Sequence, residues 1–179
     1  MHRNNPVVVC DASALINLAL INQLYLLEAI FGSVCIPPGI YDEVVRRGAG
    51  KVGAEAVQTS SFIEVVQLHD AKQVALYTGP LSHADAEVLL LAQEQHADLV
   101  ITRDRRMRRR ARQEGLTVIT TFALLIEAKR GGFVQALKPL LDEMRSKGML
   151  IRDGTYQETL RQAGELPKGE RSEHPYSTL

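Results

Sequence analysis

Val7-Val8-Val9-Cys10-Asp11-Ala12-Ser13-Ala14-Leu15-Ile16 is the stretch on which the fold turns. A short β-branched run ends in a carboxylate, and apolar residues at helical spacing follow at once (Leu15, Ile16, Leu18, Ala19). That is a strand running into a helix N-terminus, and in an open α/β sheet this edge is where ligands bind. Asp11 itself has two readings. It is either an ordinary helix N-cap or the first of several carboxylates gathered at that edge. The rest of the chain decides between them.

Outward from this stretch, the pattern alternates. Residues 7–10 predict a strand, and the apolar periodicity to Ile30 predicts two helices broken near Asn22. Val34-Cys35-Ile36 predicts a second strand. Pro38 suits the first turn of a helix running to Arg47 and stopped by Gly48 and Gly50. A short helix over 51–60, a strand at 62–66 and a loop from Asp70 to Pro80 come next. Ser82 opens a helix to about Gln95, followed by a strand at 98–102, a helix over 104–114, a strand at 116–120 and a helix over 122–130. Strands alternating with helices predict an α/β fold with a mostly parallel central sheet of about five strands and helices on both faces. Extra C-terminal helices are expected over 133–147 and 155–163. The expected organisation is a core over 1–132, a helical extension over 133–163 packed on or near it, and a flexible tail over 164–179.

Bulk composition excludes several classes. With 179 residues, 45% hydrophobic and 23% charged, the chain has the makings of one globular domain. Its 21 basic and 21 acidic residues cancel, so only local clustering can speak about partners. No apolar run reaches transmembrane length, and the first residues lack a signal peptide's apolar region. The two cysteines, Cys10 and Cys35, sit in strand-like contexts as reduced thiols, which predicts a cytoplasmic protein without membrane association. With no Trp and 5% aromatics, a base-stacking platform is not expected.

Three more carboxylates arrive at strand-to-helix junctions or first helical turns. Glu43 lies in Pro37-Pro38-Gly39-Ile40-Tyr41-Asp42-Glu43-Val44-Val45, Asp85 in Leu81-Ser82-His83-Ala84-Asp85-Ala86-Glu87, and Asp104 after Leu99-Val100-Ile101-Thr102-Arg103. Each also has a local reading. Glu43 would complement a helix dipole, Ser82 and Asp85 would form a capping box, and Asp104 would be an N-cap. Glu87, two residues beyond Asp85, is expected on a different, solvated face. Gathered at one sheet edge, the four acids would repel and raise one another's pKa unless a cation neutralised them. Hard oxygen ligands favour Mg2+ or Mn2+, and such a site suits metal-assisted phosphodiester hydrolysis.

These pieces together resemble a PIN domain, the nuclease fold shared by VapC-like toxins of toxin–antitoxin pairs. The resemblance runs from about Val7 to Gly132 and rests on four pieces in order. They are Val-Cys-Asp11-Ala-Ser13-Ala-Leu, Pro-Pro-x-x-x-x-Glu43-Val-Val, Leu-Ser-x-x-Asp85-Ala-x-x-Leu-x-Leu-Ala and Leu-Val-Ile-Thr102-Arg-Asp104. It implies that Asp11, Glu43, Asp85 and Asp104 are the catalytic, metal-binding acids, that Ser13 and Thr102 orient them, and that RNA is the substrate. An antitoxin protein and a second copy of the chain are the partners it suggests. The segment from Leu116 to Gly132 is similar to a little-characterised branch of PIN-like proteins.

The strongest local charge is seven arginines between Arg103 and Arg112. On a helix, Arg105, Arg108, Arg109 and Arg112 form one stripe, with Met107 and Ala111 turned to the sheet. An exposed face paired with acidic neighbours would account for it. So would a nucleic-acid-binding surface drawing on Arg103, Arg105, Arg106, Arg108, Arg109 and Arg112, since arginine is the better bidentate phosphate ligand. No histidine has a partner at metal-ligand spacing; His83 is expected to be an exposed first-turn residue.

The function expected is therefore a metal-dependent ribonuclease, with a toxin role within it. The alternative is a catalytically silent module of the same fold, serving nucleic-acid binding or assembly. A phosphotransfer site of receiver or phosphatase type ranks last. Ser13 occupies the place where haloacid-type phosphatases carry a second Asp.

Overall fold

The computed structural model describes residues 5–79 and 81–167. The chain divides into two compact units, Met1–Leu124 and Leu125–Leu179. The first unit holds β1 (Val8–Cys10), α1 (Ala12–Leu20), α2 (Leu26–Phe31), β2 (Val34–Ile36), α3 (Pro38–Tyr41) and α4 (Ala54–Thr59). After these come β3 (Ile63–Val65), α5 (His83–Glu94), β4 (Leu99–Ile101), α6 (Arg105–Gln113) and β5 (Val118–Ile119). The helix α7 (Thr121–Arg130) leads into the second unit, which holds α8 (Lys138–Ser146) and α9 (Asp153–Gln162).

The five strands form one all-parallel sheet in the order β3-β2-β1-β4-β5, so the fold is α/β as the alternating pattern predicts. β1 is central and buried on both faces, which is why Val8, Val9 and Cys10 read as an unbroken apolar run. The chain winds outward from β1 through β2 to β3. It then crosses back to place β4 against β1's other edge, with Val8, Val9 and Cys10 opposite Leu99, Val100 and Ile101. The carboxyl ends of β1 and β4 thus flank the topological switch point, the position where parallel α/β sheets bind ligands. Cys10 and Cys35 are free thiols, Cys10 buried and Cys35 half-buried.

Three local details depart from the expected pattern. The helix begun by Pro38 does not run as a continuous α-helix to Arg47. It widens at Asp42–Arg46 into a π turn, closed by Arg47 N–H donating to the Asp42 carbonyl at 2.8 Å. The stretch expected as a loop from Asp70 contains a 3-10 helix, Ala71–Leu76, capped by the Asp70 side chain. In the second unit, α8 starts at Lys138 and not at residue 133, with Pro139 in the first turn where its missing N–H costs nothing.

That second unit has its own brace. Glu165 accepts hydrogen bonds from Lys129 Nζ at 2.6 Å, Leu137 N–H at 2.5 Å and Lys138 N–H at 2.9 Å. The carboxylate caps α8 and ties it to the end of α7. The expected tail begins at Gly164, and its residues 168–179 lie outside the described residues.

Candidate active site

Asp11 follows β1 directly and serves as the N-cap of α1. Its Oδ1 accepts from Ala14 N–H at 2.7 Å, Oδ2 from Thr102 Oγ1 at 2.5 Å, and Ser13 Oγ lies 2.9 Å from both. Only 2% of the residue is exposed. Burial raises the Asp11 pKa above the ordinary aspartate range, against the pull of donors from Thr102, Ala14 and Ser13, and the charge of Asp85 pushes the same way. The three donors are all neutral. The site therefore holds a desolvated carboxyl oriented on both oxygens, with a second carboxylate near enough to be felt.

Thr102 carries the arrangement across the switch point. Its hydroxyl donates to Asp11 and accepts from Asp104 N–H at 3.1 Å, joining the ends of β1 and β4 through one side chain. Asp104 caps α6 by accepting from Met107 N–H at 2.8 Å. Ser82 Oγ accepts from Asp85 N–H at 3.0 Å and donates to Asp85 Oδ2 at 2.8 Å, so Ser82 caps α5 as expected, but the Asp85 carboxylate takes the Ser82 hydroxyl and not the backbone N–H of a capping box. Glu43 is set in the π turn, exposed, in a cleft of about 460 Å³ that it shares with Arg47 and Lys51.

Thr102 joins Asp11 to Asp104 and Asp85 is near enough to Asp11 to be felt, while Glu43 lies in a cleft of its own. Among the described residues no three His, Cys, Asp or Glu side chains stand close enough together to hold a metal ion. Asp11, Asp85 and Asp104 each spend an oxygen on a donor at the start of their own helix. Hard carboxylate oxygens nonetheless suit a divalent cation, and Mg2+ commonly keeps several waters and takes one or two protein carboxylates. Buried Asp11, clasped only by neutral donors beside a second negative charge, fits that demand.

Glu87 corrects the expectation of a solvated face. Its side chain is 13% exposed, and Oε2 accepts from Gly39 N–H at 2.7 Å at the start of α3, while His83 Nε2 lies 3.3 Å from Oε1. A Cβ on Gly39 would lie 2.4 Å from that oxygen, so a larger residue there would push the carboxylate aside. Glu87 thereby fastens the helix that leads to Glu43 against the helix that carries Asp85. Helical spacing separates Glu87 from Asp85 but says nothing about a partner 48 residues away.

α6 presents the arginines as its spacing predicts. Met107 and Ala111 are fully buried, and Arg105, Arg108, Arg109 and Arg112 line an open cavity of about 520 Å³ with Gln113. Arg103, half-buried, immediately precedes Asp104, and Arg106 and Arg110 turn to a different cavity. Arg110 is ion-paired with Glu114 at 2.9 Å.

The family model described as DUF3368, a PIN domain, matches residues 7–165. The chain belongs to the PIN-domain family. The match extends past Gly132 through α8 and α9, farther than the resemblance read from the motifs. No curated protein matches the chain. PIN domains are generally nucleases that use divalent metals, so the coarse activity is nuclease-type hydrolysis with nucleic-acid binding. No helix among the described residues is long and apolar enough to cross a membrane.

Proposed function

We propose that this PIN-domain protein is a Mg2+- or Mn2+-dependent ribonuclease whose centre is Asp11. The observation that carries the reading is the Asp11–Thr102–Asp104 linkage at the β1/β4 switch point, with Asp85 close enough to raise the Asp11 pKa. Asp11, Asp85, Asp104 and Glu43 would hold the cation. When bound, that ion supplies an activated water and offsets charge developing on the scissile phosphate. Ser13 and Thr102 hold the Asp11 carboxyl on both oxygens, so its orientation is set before substrate arrives. The stripe of Arg105, Arg108, Arg109 and Arg112, with Arg103 and Arg106 beside it, holds the RNA backbone. A toxin role, restrained by an antitoxin protein in the cytoplasm, is the physiological setting this chemistry suits.

The test is cleavage of a labelled oligoribonucleotide with Mn2+, with a chelator, and with Asp11→Asn. Cleavage by the wild type with Mn2+ and loss of it in the other two arms is the expected result. Equal cleavage by Asp11→Asn would remove Asp11 from the mechanism.

One observation favours a second reading, a catalytically silent binding module: no three acidic side chains form a ready ligand group among the described residues. Calorimetric titration with Mn2+ separates the two. A silent module shows no binding that Asp104→Asn removes.

A further inference from the structure

A second cavity lies against α6, away from the four-arginine stripe. It has a volume of about 330 Å³, and its walls include Tyr77, Leu81, Arg106, Arg109, Arg110 and Gln113. Both walls are built. The 3-10 helix Ala71–Leu76 buries Val74 against Ala86 and Leu90 of α5, with Tyr77 packed on the same cluster. Its start is held by Glu94, which accepts from His69 N–H at 2.9 Å and Asp70 N–H at 3.2 Å. The opposite wall is tied to α5 through Gln93, whose amide donates to the Glu114 carbonyl at 3.0 Å.

The chemistry of the lining is mixed in a particular way. Arg110 Cζ lies over the Tyr77 ring, 5.4 Å from its centroid, a cation–π contact, and the same guanidinium is ion-paired with Glu114. Arg110 Nε–H is buried and has no acceptor, an unmet donor in the wall. Gln113 offers an amide that both donates and accepts. Arg109 lines this cavity and also the four-arginine cavity, so an RNA backbone following the stripe can turn a base inward here. An aromatic ring, a guanidinium, an amide and an unmatched donor are among the means by which proteins hold the splayed bases of single-stranded RNA.

We propose that this pocket receives a nucleobase of the single-stranded RNA bound along α6, stacked on the Tyr77–Arg110 pair and read at its edge by Gln113. The inference rests on the ribonuclease reading for the presence of RNA, but it concerns base recognition and not cleavage. It gives the chain a place for sequence preference that the arginine run alone does not supply.

The experiment uses the full-length Asp11→Asn chain, to prevent cleavage, and dye-labelled octamers of U, A, C and G alongside an abasic ribose-phosphate octamer of equal charge. Fluorescence anisotropy is expected to show at least one base-bearing octamer binding about tenfold tighter than the abasic one. Added Tyr77→Ala should erase that advantage and leave abasic affinity unchanged. Gln113→Ala should alter the ranking among the four bases, and Arg105→Ala should weaken every octamer alike. Because Tyr77 packs on Val74, Tyr77→Leu provides a second variant that keeps apolar contact and removes the ring. Equal binding of base-bearing and abasic octamers overturns the base pocket while leaving the nucleic-acid reading standing. So does a Tyr77→Leu loss shared equally by the abasic octamer. No binding of any octamer overturns both.

Discussion

Asp11 and Glu165 are both carboxylates clasped by three groups of their own chain, yet their pKa values move in opposite directions. For Asp11, burial raises the pKa and the neutral donors Thr102, Ala14 and Ser13 do not offset it. For Glu165, burial also raises, but Leu137 N–H, Lys129 Nζ and Lys138 N–H outweigh it and hold the carboxyl below the ordinary glutamate range. Two things differ: Asp11 is far more deeply buried, and one of the three donors to Glu165 is a protein cation. Lys129 sits 2.6 Å from Glu165 and completes it as a structural brace. Asp11 has neutral donors and the negative charge of Asp85, so its environment calls for a cation from outside. A carboxylate that the fold leaves electrostatically incomplete is the better candidate for chemistry, and one that the fold completes belongs to stability.

That contrast is broken first by activity. Asp11→Asn should reduce RNA cleavage at least about a hundredfold, while Glu165→Gln, measured well below its melting temperature, should cut as the wild type does. Parallel cleavage time courses of the two variants check this. If Glu165→Gln loses cleavage as Asp11→Asn does while still folded, the division into chemical and structural carboxylates fails.

Stability should run the other way. Glu165→Gln turns an amide N–H toward backbone donors and leaves Lys129 without its counter-charge, costing about 1–3 kcal/mol in urea unfolding. Asp11→Asn should cost nothing or stabilise, because Asn also caps helices well and one of two neighbouring negative charges is gone.

Glu87 sits between these cases, bound to a backbone N–H and beside an exposed imidazole. Gly39→Ala should destabilise by about 1–2 kcal/mol, since the new methyl displaces the Glu87 oxygen. The same change in a Glu87→Ala background should cost far less. A full penalty in both backgrounds would place the strain elsewhere than at this contact.

The smallest effect is the pH dependence, and its sign differs for the two carboxylates. A raised folded pKa contributes stability below the ordinary aspartate range of about 3.9, which is lost as pH rises through the raised value. The advantage of Asp11→Asn over the wild type should therefore grow with pH above about 4. A lowered folded pKa contributes stability above the ordinary glutamate range of about 4.3, lost as pH falls through the lowered value. The deficit of Glu165→Gln should therefore be full at neutral pH and shrink in acid. Chemical unfolding of each pair across the acid range reads both slopes.

Much of the framework was legible because its signals are local. Buried parallel strands read as apolar runs at Val8–Cys10, Val34–Ile36 and Leu99–Ile101. Asp11, Asp104 and the Ser82–Asp85 pair announced their helix starts. Helical spacing placed Met107 and Ala111 inside and four arginines outside. What stayed illegible depends on contacts between distant segments. The Glu87–Gly39 bond, the Tyr77–Arg110 pair and the Glu165 brace join residues with no shared periodicity. The π turn at Asp42–Arg46 left no pattern distinct from an α-helix. The meeting of Asp11 with Asp104 through Thr102 follows from two strand ends that the sequence marks. The caps at Asp11, Ser82–Asp85 and Asp104 were visible one by one, but that no three acids cluster among the described residues was not.

The central claim is that Asp11 is completed by a divalent cation, and thermal unfolding with and without Mg2+ or Mn2+ tests it most directly. The wild type should melt at a higher temperature when either ion is added. Asp11→Asn should melt at or above the cation-free wild type and gain little from the ions. A cation shift that persists undiminished in Asp11→Asn, together with a lower cation-free melting temperature for that variant, would contradict the account.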